Sequence, residues 1–90
     1  MTKAVIKVPP VKVGKIEYKV PDIDIKKKNK IGNLLFKSAQ DGEYSYDLMN
    51  DILLVVGFKE DEVLFFSFEE TATIGNAIIE TINKKKKGTK

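Results

Sequence analysis

Val11–Val20 reads VKVGKIEYKV, and this stretch decides what kind of fold the chain can make. Val11 and Val13 alternate with Lys12, and Ile16, Tyr18 and Val20 alternate with Glu17 and Lys19. That period of two gives a strand one apolar and one polar face. Gly14–Lys15 between the arms suits a two-residue hairpin turn, with glycine at the position that needs φ > 0. Pro21 has no N–H to offer a ladder and ends the second arm, and Asp22 or Asp24 is placed to cap a helix. An isolated hairpin is marginal in water, so this one must pack on another element. Upstream, Ala4–Val8 (AVIKV) is β-prone, but Pro9–Pro10 forbids a ladder running on into the hairpin.

Beyond Pro21 the apolar period lengthens to that of a helix. Ile31, Leu34, Leu35 and Ala39 form one narrow stripe and predict a basic helix over about Ile25–Ala39, weakened by Asn29 and Gly32. Asp41–Gly42 reads as a break. Leu48, Met49, Ile52, Leu53 and Val56 share a face opposite Asp47, Asn50 and Asp51, which predicts a second helix over about Tyr44–Val56. Gly57 stands where a C-terminal cap belongs. Lys59–Glu62 (KEDE) followed by Val63–Phe66 (VLFF) is read as a short helix, because Asp61 and Glu62 suit a first turn near the positive end of the dipole. Ser67 with Glu70 forms a capping box for the last helix, over about Phe68–Lys85, with Thr71, Ile74, Ile78 and Ile82 on its apolar stripe. The expected fold is therefore α+β and predominantly helical: an N-terminal β-hairpin followed by three or four short α-helices. It forms one small globular domain over residues 1–83, with a flexible lysine-rich tail at 84–90.

Composition removes most kinds of chemistry. Ninety residues provide one modest core. The chain has no histidine, cysteine, tryptophan or arginine, and all 16 cationic side chains are lysine. Without His or Cys there is no thiolate, disulfide or zinc knuckle, and no Ser–His or Cys–His nucleophile pair. Without Arg the bidentate fork that reads carboxylate, phosphate and guanine is missing. An enzyme is not expected, nor any cofactor. No calcium-loop pattern accompanies Glu60, Asp61, Glu62, Glu69 and Glu70, so no metal site is expected either. The longest apolar runs, Ile52–Val56 and Val63–Phe66, are far shorter than the ~20 residues of a membrane span. No signal-peptide core is visible near Met1, and cysteine is absent, so the expected location is the cytoplasm.

Charge is strongly polarised along the chain. Residues 1–40 carry ten lysines against Glu17, Asp22 and Asp24, whereas residues 41–83 carry Lys59 against ten carboxylates. Opposite halves of a small domain can neutralise each other within the fold. The same polarity also suits a homo-oligomer in which the basic front of one copy meets the acidic back of the next. Lys26, Lys27, Lys28 and Lys30, with Lys84, Lys85, Lys86 and Lys87, are the candidates for nucleic-acid contact, since phosphate neutralisation requires only cations. Neither run has an aromatic inside it, so both read more simply as solvated surface, and a small basic nucleic-acid-associated or regulatory protein is the alternative reading. Phe58, Phe65, Phe66 and Phe68 are the candidate protein-binding residues. Residues one or two apart on a short helix face different directions, so Phe65, Phe66 and Phe68 cannot all turn inward.

Taken together, the hairpin Val13–Val20 with Pro21, the helix ending Leu48–Gly57, and Ser67–Glu70 (SFEE) resemble the small tail assembly chaperones of long-tailed bacteriophages, particularly those of low-G/C Gram-positive hosts. The resemblance covers about Val11–Asn83. It implies a non-enzymatic chaperone that binds the tape-measure or tail-tube protein in the host cell cytoplasm during tail morphogenesis. Members of that family are often extended by a programmed frameshift, and codons for Lys84–Lys87 and Gly88 would make slippery sequence.

Overall fold

A computed structural model describes residues 4–42 and 45–84. The hairpin forms as expected. Strand β1 (Val11–Val13) pairs antiparallel with β2 (Ile16–Tyr18) in the register Val11↔Tyr18, Lys12↔Glu17 and Val13↔Ile16. Gly14 takes φ 62° and Lys15 keeps a negative φ, so only the first of the two loop positions needs glycine. Val11, Val13, Ile16 and Tyr18 share one face, which is covered at the Val11 end and open at the turn, where Ile16 is 53% exposed. Lys12 and Glu17 oppose each other on the solvent face, a cross-strand pair of unlike charges. Ala4–Val8 does not make a strand. It is joined to the chain ahead of the first helix through one bridge, Ile6↔Ile23, with Ile6 N donating to Ile23 O at 2.8 Å and Ile23 N to Ile6 O at 2.9 Å.

Four helices follow: α1 (Ile25–Asp41), α2 (Tyr46–Val56), α3 (Glu60–Phe65) and α4 (Phe68–Asn83). Of the two aspartates able to cap α1, Asp24 does so, its Oδ1 accepting from Lys27 N at 2.9 Å. The buried face of α1 is centred on Ile31 and Ser38, seven residues and two turns apart, so Ala39 falls about 100° away and is exposed. Ser45 caps α2, and Gly57 ends it at φ 132°, a region that side chains rarely adopt. A Cβ there would also stand 3.3 Å from Pro21 Cγ. Tyr44, the first residue of the expected second helix, lies outside the described residues. The last helix stops at Asn83, because Lys84 has extended backbone (φ −66°, ψ 128°).

Helix α2 is the centre of the molecule, packed by α1, α3 and α4, while α4 also supports β1. Ile23, Ile31, Ile52, Leu53, Val56, Ile74 and Ile78 are completely enclosed. The α2–α4 crossing is close because Gly75 offers no side chain: an added Cβ would lie 2.5 Å from Met49 Sδ.

Candidate functional site

The four candidate phenylalanines separate into two pairs. Phe58 follows Gly57 directly and is buried, its N–H returning to Leu53 O at 3.1 Å. It therefore belongs to the core and offers no surface to a partner, which corrects the expectation for that residue. Phe66, at the end of α3, has extended backbone (φ −68°, ψ 141°) that turns its ring inward. There it packs edge-on against Phe58 at 5.7 Å and Tyr18 at 5.3 Å between ring centroids. Edge-to-face pairs at these distances are favourable beyond the area they bury. Phe65 and Phe68 remain outside, 82% and 73% exposed.

The exposed pair follows from helix geometry. A six-residue helix can bury one position per turn, and α3 uses Val63 for this purpose. Leu64 and Phe65 are then rotated by about 100° and 200° into solvent. Phe68 is the first residue of α4, ahead of that helix's buried stripe, and stacks on Tyr46, the first residue of α2, at 4.8 Å and 28°.

Tyr46, Leu64 and Phe68 border a groove of about 500 Å³ between α2, α3 and the start of α4. Its apolar lining includes Tyr46, Leu54, Leu64, Phe66 and Phe68, and its polar lining Asn50, Glu60 and Asp61. Leu54 and Leu64 are not among the sequence candidates, and Tyr46 stands near those candidates in sequence only as a further aromatic. Their signal was an apolar residue off the stripe: Leu54 is one step past Leu53, and Tyr46 precedes the Leu48–Val56 face. Phe65 does not line the groove but stands on the same helix beside Leu64.

The carboxylates near the groove divide by role. Glu62 Oε1 accepts from Lys59 N at 2.9 Å and closes the start of α3. Glu70 does the same for α4: Oε1 accepts from Ser67 N at 2.7 Å, while Ser67 Oγ accepts from Glu70 N at 3.1 Å. Glu70 Oε2 also accepts from the Tyr18 hydroxyl, which ties the hairpin to α4. This bond holds the Glu70 carboxyl below its ordinary range, helped by the Ser67 N–H, and raises the Tyr18 phenol above its own. Glu60 and Asp61 are exposed and leave the groove with an acidic edge. Among the described residues, no group of three or more carboxylates is placed to hold a metal ion.

Among the described residues, the candidate nucleic-acid lysines do not all share one surface. Lys27 is used internally, its Nζ donating to Val56 O at 2.7 Å and Asp22 O at 3.2 Å, which closes the C-terminal end of α2. Lys28 borders a depression beside Ile6 and Ile23, Lys30 a second between α1 and α2, and Lys84 a third beside Pro9 and Pro10. Lys26 is exposed on α1, and Lys85, Lys86 and Lys87 lie outside the described residues. Among the described residues, no helix is long and apolar enough to cross a membrane.

No protein-family model, curated protein or solved structure matches the chain.

Proposed function

We propose that the protein is a non-enzymatic assembly chaperone that holds an amphipathic helix of a partner protein in the groove between α2, α3 and α4. The observation that carries this reading is the exposed apolar lining of that groove, Tyr46, Leu54, Leu64 and Phe68, with Phe65 beside it. A helix whose apolar stripe recurs at three and four residues fits such a groove, and its basic flank would meet Glu60 and Asp61. Burying Leu64 and Phe68 contributes about 1.5–3 kcal/mol each before the costs of association. Those costs favour a transient holder over a permanent subunit.

The resemblance to phage tail assembly chaperones gives the client a chemical identity. It is the long helical tape-measure protein, kept in solution in the host cytoplasm until the tube polymerises around it. The scattered lysines and the internal use of Lys27 favour this reading over nucleic-acid binding. Co-expression with a tape-measure fragment is the test. The fragment should become soluble and co-purify with the wild-type chain, and Leu64→Ser with Phe68→Ser should abolish capture. A fragment that stays insoluble, or is captured equally by the double variant, rules the reading out.

A further inference from the structure

Among the described residues, the outer face of α1 is a second apolar surface left uncovered. Ile25 and Phe36 are 64% and 66% exposed. They lie eleven residues apart, three helical turns and about 16 Å along one stripe. Gly32 falls on the same stripe, and a Cβ built there meets nothing within 4 Å. A mid-helix glycine costs about 1 kcal/mol relative to alanine, and packing inside the monomer does not account for it. Lys28 stands about 60° to one side of the stripe, next to Ile25, and Lys26, Lys30 and Lys37 about 120° to the other, all exposed. The stripe is therefore basic and apolar, with a flat position at its centre. The groove between α2, α3 and α4 is apolar with Glu60 and Asp61 at its edge. Ile31 and Ser38, which α1 buries, lie on the opposite side of that helix, so the stripe faces away from the core.

We propose that a second copy of this chain occupies the groove, with the Ile25–Gly32–Phe36 stripe of α1 docked on Leu54, Leu64 and Phe68 of its neighbour. It rests on the reading of the groove as a helix-binding site and adds regulation to it: self-association covers the groove until a client helix displaces α1. The two surfaces differ, so the contact is heterologous, and each added copy presents a new free groove. Opposite charges at the two surfaces bring the copies together and make the association salt-sensitive.

Sedimentation equilibrium of the full chain is the test, with Phe36→Asp to disable the stripe and Leu64→Asp to disable the groove. Wild type should grow in mass beyond a dimer with concentration, less so as salt is raised. Each variant alone should associate about tenfold or more weakly, the effect of losing a central anchor. Mixed together, the variants retain one intact stripe and one intact groove between them and should stop at a one-to-one pair. Both positions are exposed, and a circular dichroism melt checks folding. If either aspartate variant melts early, Phe36→Ala and Leu64→Ala replace the pair. A wild type that stays monomeric overturns the inference, as does association lost in Phe36→Asp but retained in Leu64→Asp, which would mean pairing of α1 with α1. Capture of a tape-measure fragment by Phe36→Asp is measured separately. If capture persists while wild type is monomeric, only the inference falls; if capture fails while the mixed pair forms, only the client reading falls.

Discussion

The Tyr18 hydroxyl donates to Glu70 Oε2, joining the second hairpin strand to the first turn of α4 across 52 residues of chain. The same carboxylate closes the capping box through Oε1, so one side chain serves the local start of a helix and the long-range seat of the hairpin. The bond requires Tyr18 protonated and Glu70 ionised. In the fold the Glu70 carboxyl is lowered by the Tyr18 bond and then by Ser67, and the Tyr18 phenol is raised by the bond to Glu70.

The pH dependence follows from those directions. A carboxyl lowered in the folded state contributes stability above its unfolded pKa, and loses it as pH falls through the lower folded value. A phenol raised in the folded state contributes below its unfolded pKa of about 10 and loses it as pH rises through the higher folded value. Urea midpoints should therefore be flat near neutral pH, fall below about pH 4, and fall again above about pH 10. Tyr18→Phe should flatten the acid limb relative to wild type, and a Phe variant with an unchanged acid limb would exclude the coupling.

Lys27 should behave unlike its neighbours. Its ammonium donates to Val56 O, a carbonyl at the end of α2, where a cation also complements the dipole. Lys27→Met should cost about 1 kcal/mol in chemical denaturation. Lys26→Met and Lys30→Met, both exposed, should stay within about 0.5 kcal/mol of wild type. Equal effects at all three positions would reduce Lys27 to one more surface charge.

The Gly75–Met49 contact predicts a sign that depends on background. Gly75→Ala should gain up to about 1 kcal/mol of helix propensity, but the new Cβ displaces Met49 Sδ from a 2.5 Å approach. In wild type the two effects offset, giving a neutral or slightly destabilised protein. In a Met49→Ala background the obstruction is gone, and Gly75→Ala should stabilise by about 0.5–1 kcal/mol. A double-mutant cycle on thermal denaturation measures the difference, and a coupling of zero would mean the helices do not approach so closely.

What the sequence made legible, and what it did not, divides by the range of the interaction. The VKVGKIEYKV alternation, the Ser67–Glu70 box and the Gly57 stop each rest on residues within a few positions, and each recurs in the fold. Tyr18–Glu70, Lys27–Val56 and Ile6–Ile23 join residues 52, 29 and 17 apart, and no local pattern announces them. The error over Ala39 is a matter of rotation: the buried face of α1 is centred on Ile31 and Ser38, and Ala39 stands about 100° past Ser38. For the groove, crowding of apolar residues along Val63–Phe68 indicated a surplus, but the inward turn of Phe66 depended on extended backbone after α3.

The phenylalanines offer the sharpest separation of stability from function. Phe58 is 8% exposed and touches Phe66 in the core, so Phe58→Ala should cost about 3–5 kcal/mol. A domain of this size has roughly 5–13 kcal/mol in total, so that variant should melt far below wild type or fail to accumulate. Phe65 has most of its ring in water and lies outside the groove lining, so Phe65→Ser should stay within about 0.5 kcal/mol of wild type. Phe68→Ser also loses the stack on Tyr46, worth about 0.5–1.5 kcal/mol, and should be modestly less stable while losing client capture. Melting temperature and pull-down of the tape-measure fragment, measured on the same three proteins, would place each ring. If Phe68→Ser captured the fragment as well as wild type, the groove would not be where the client binds, however stable the variant proved.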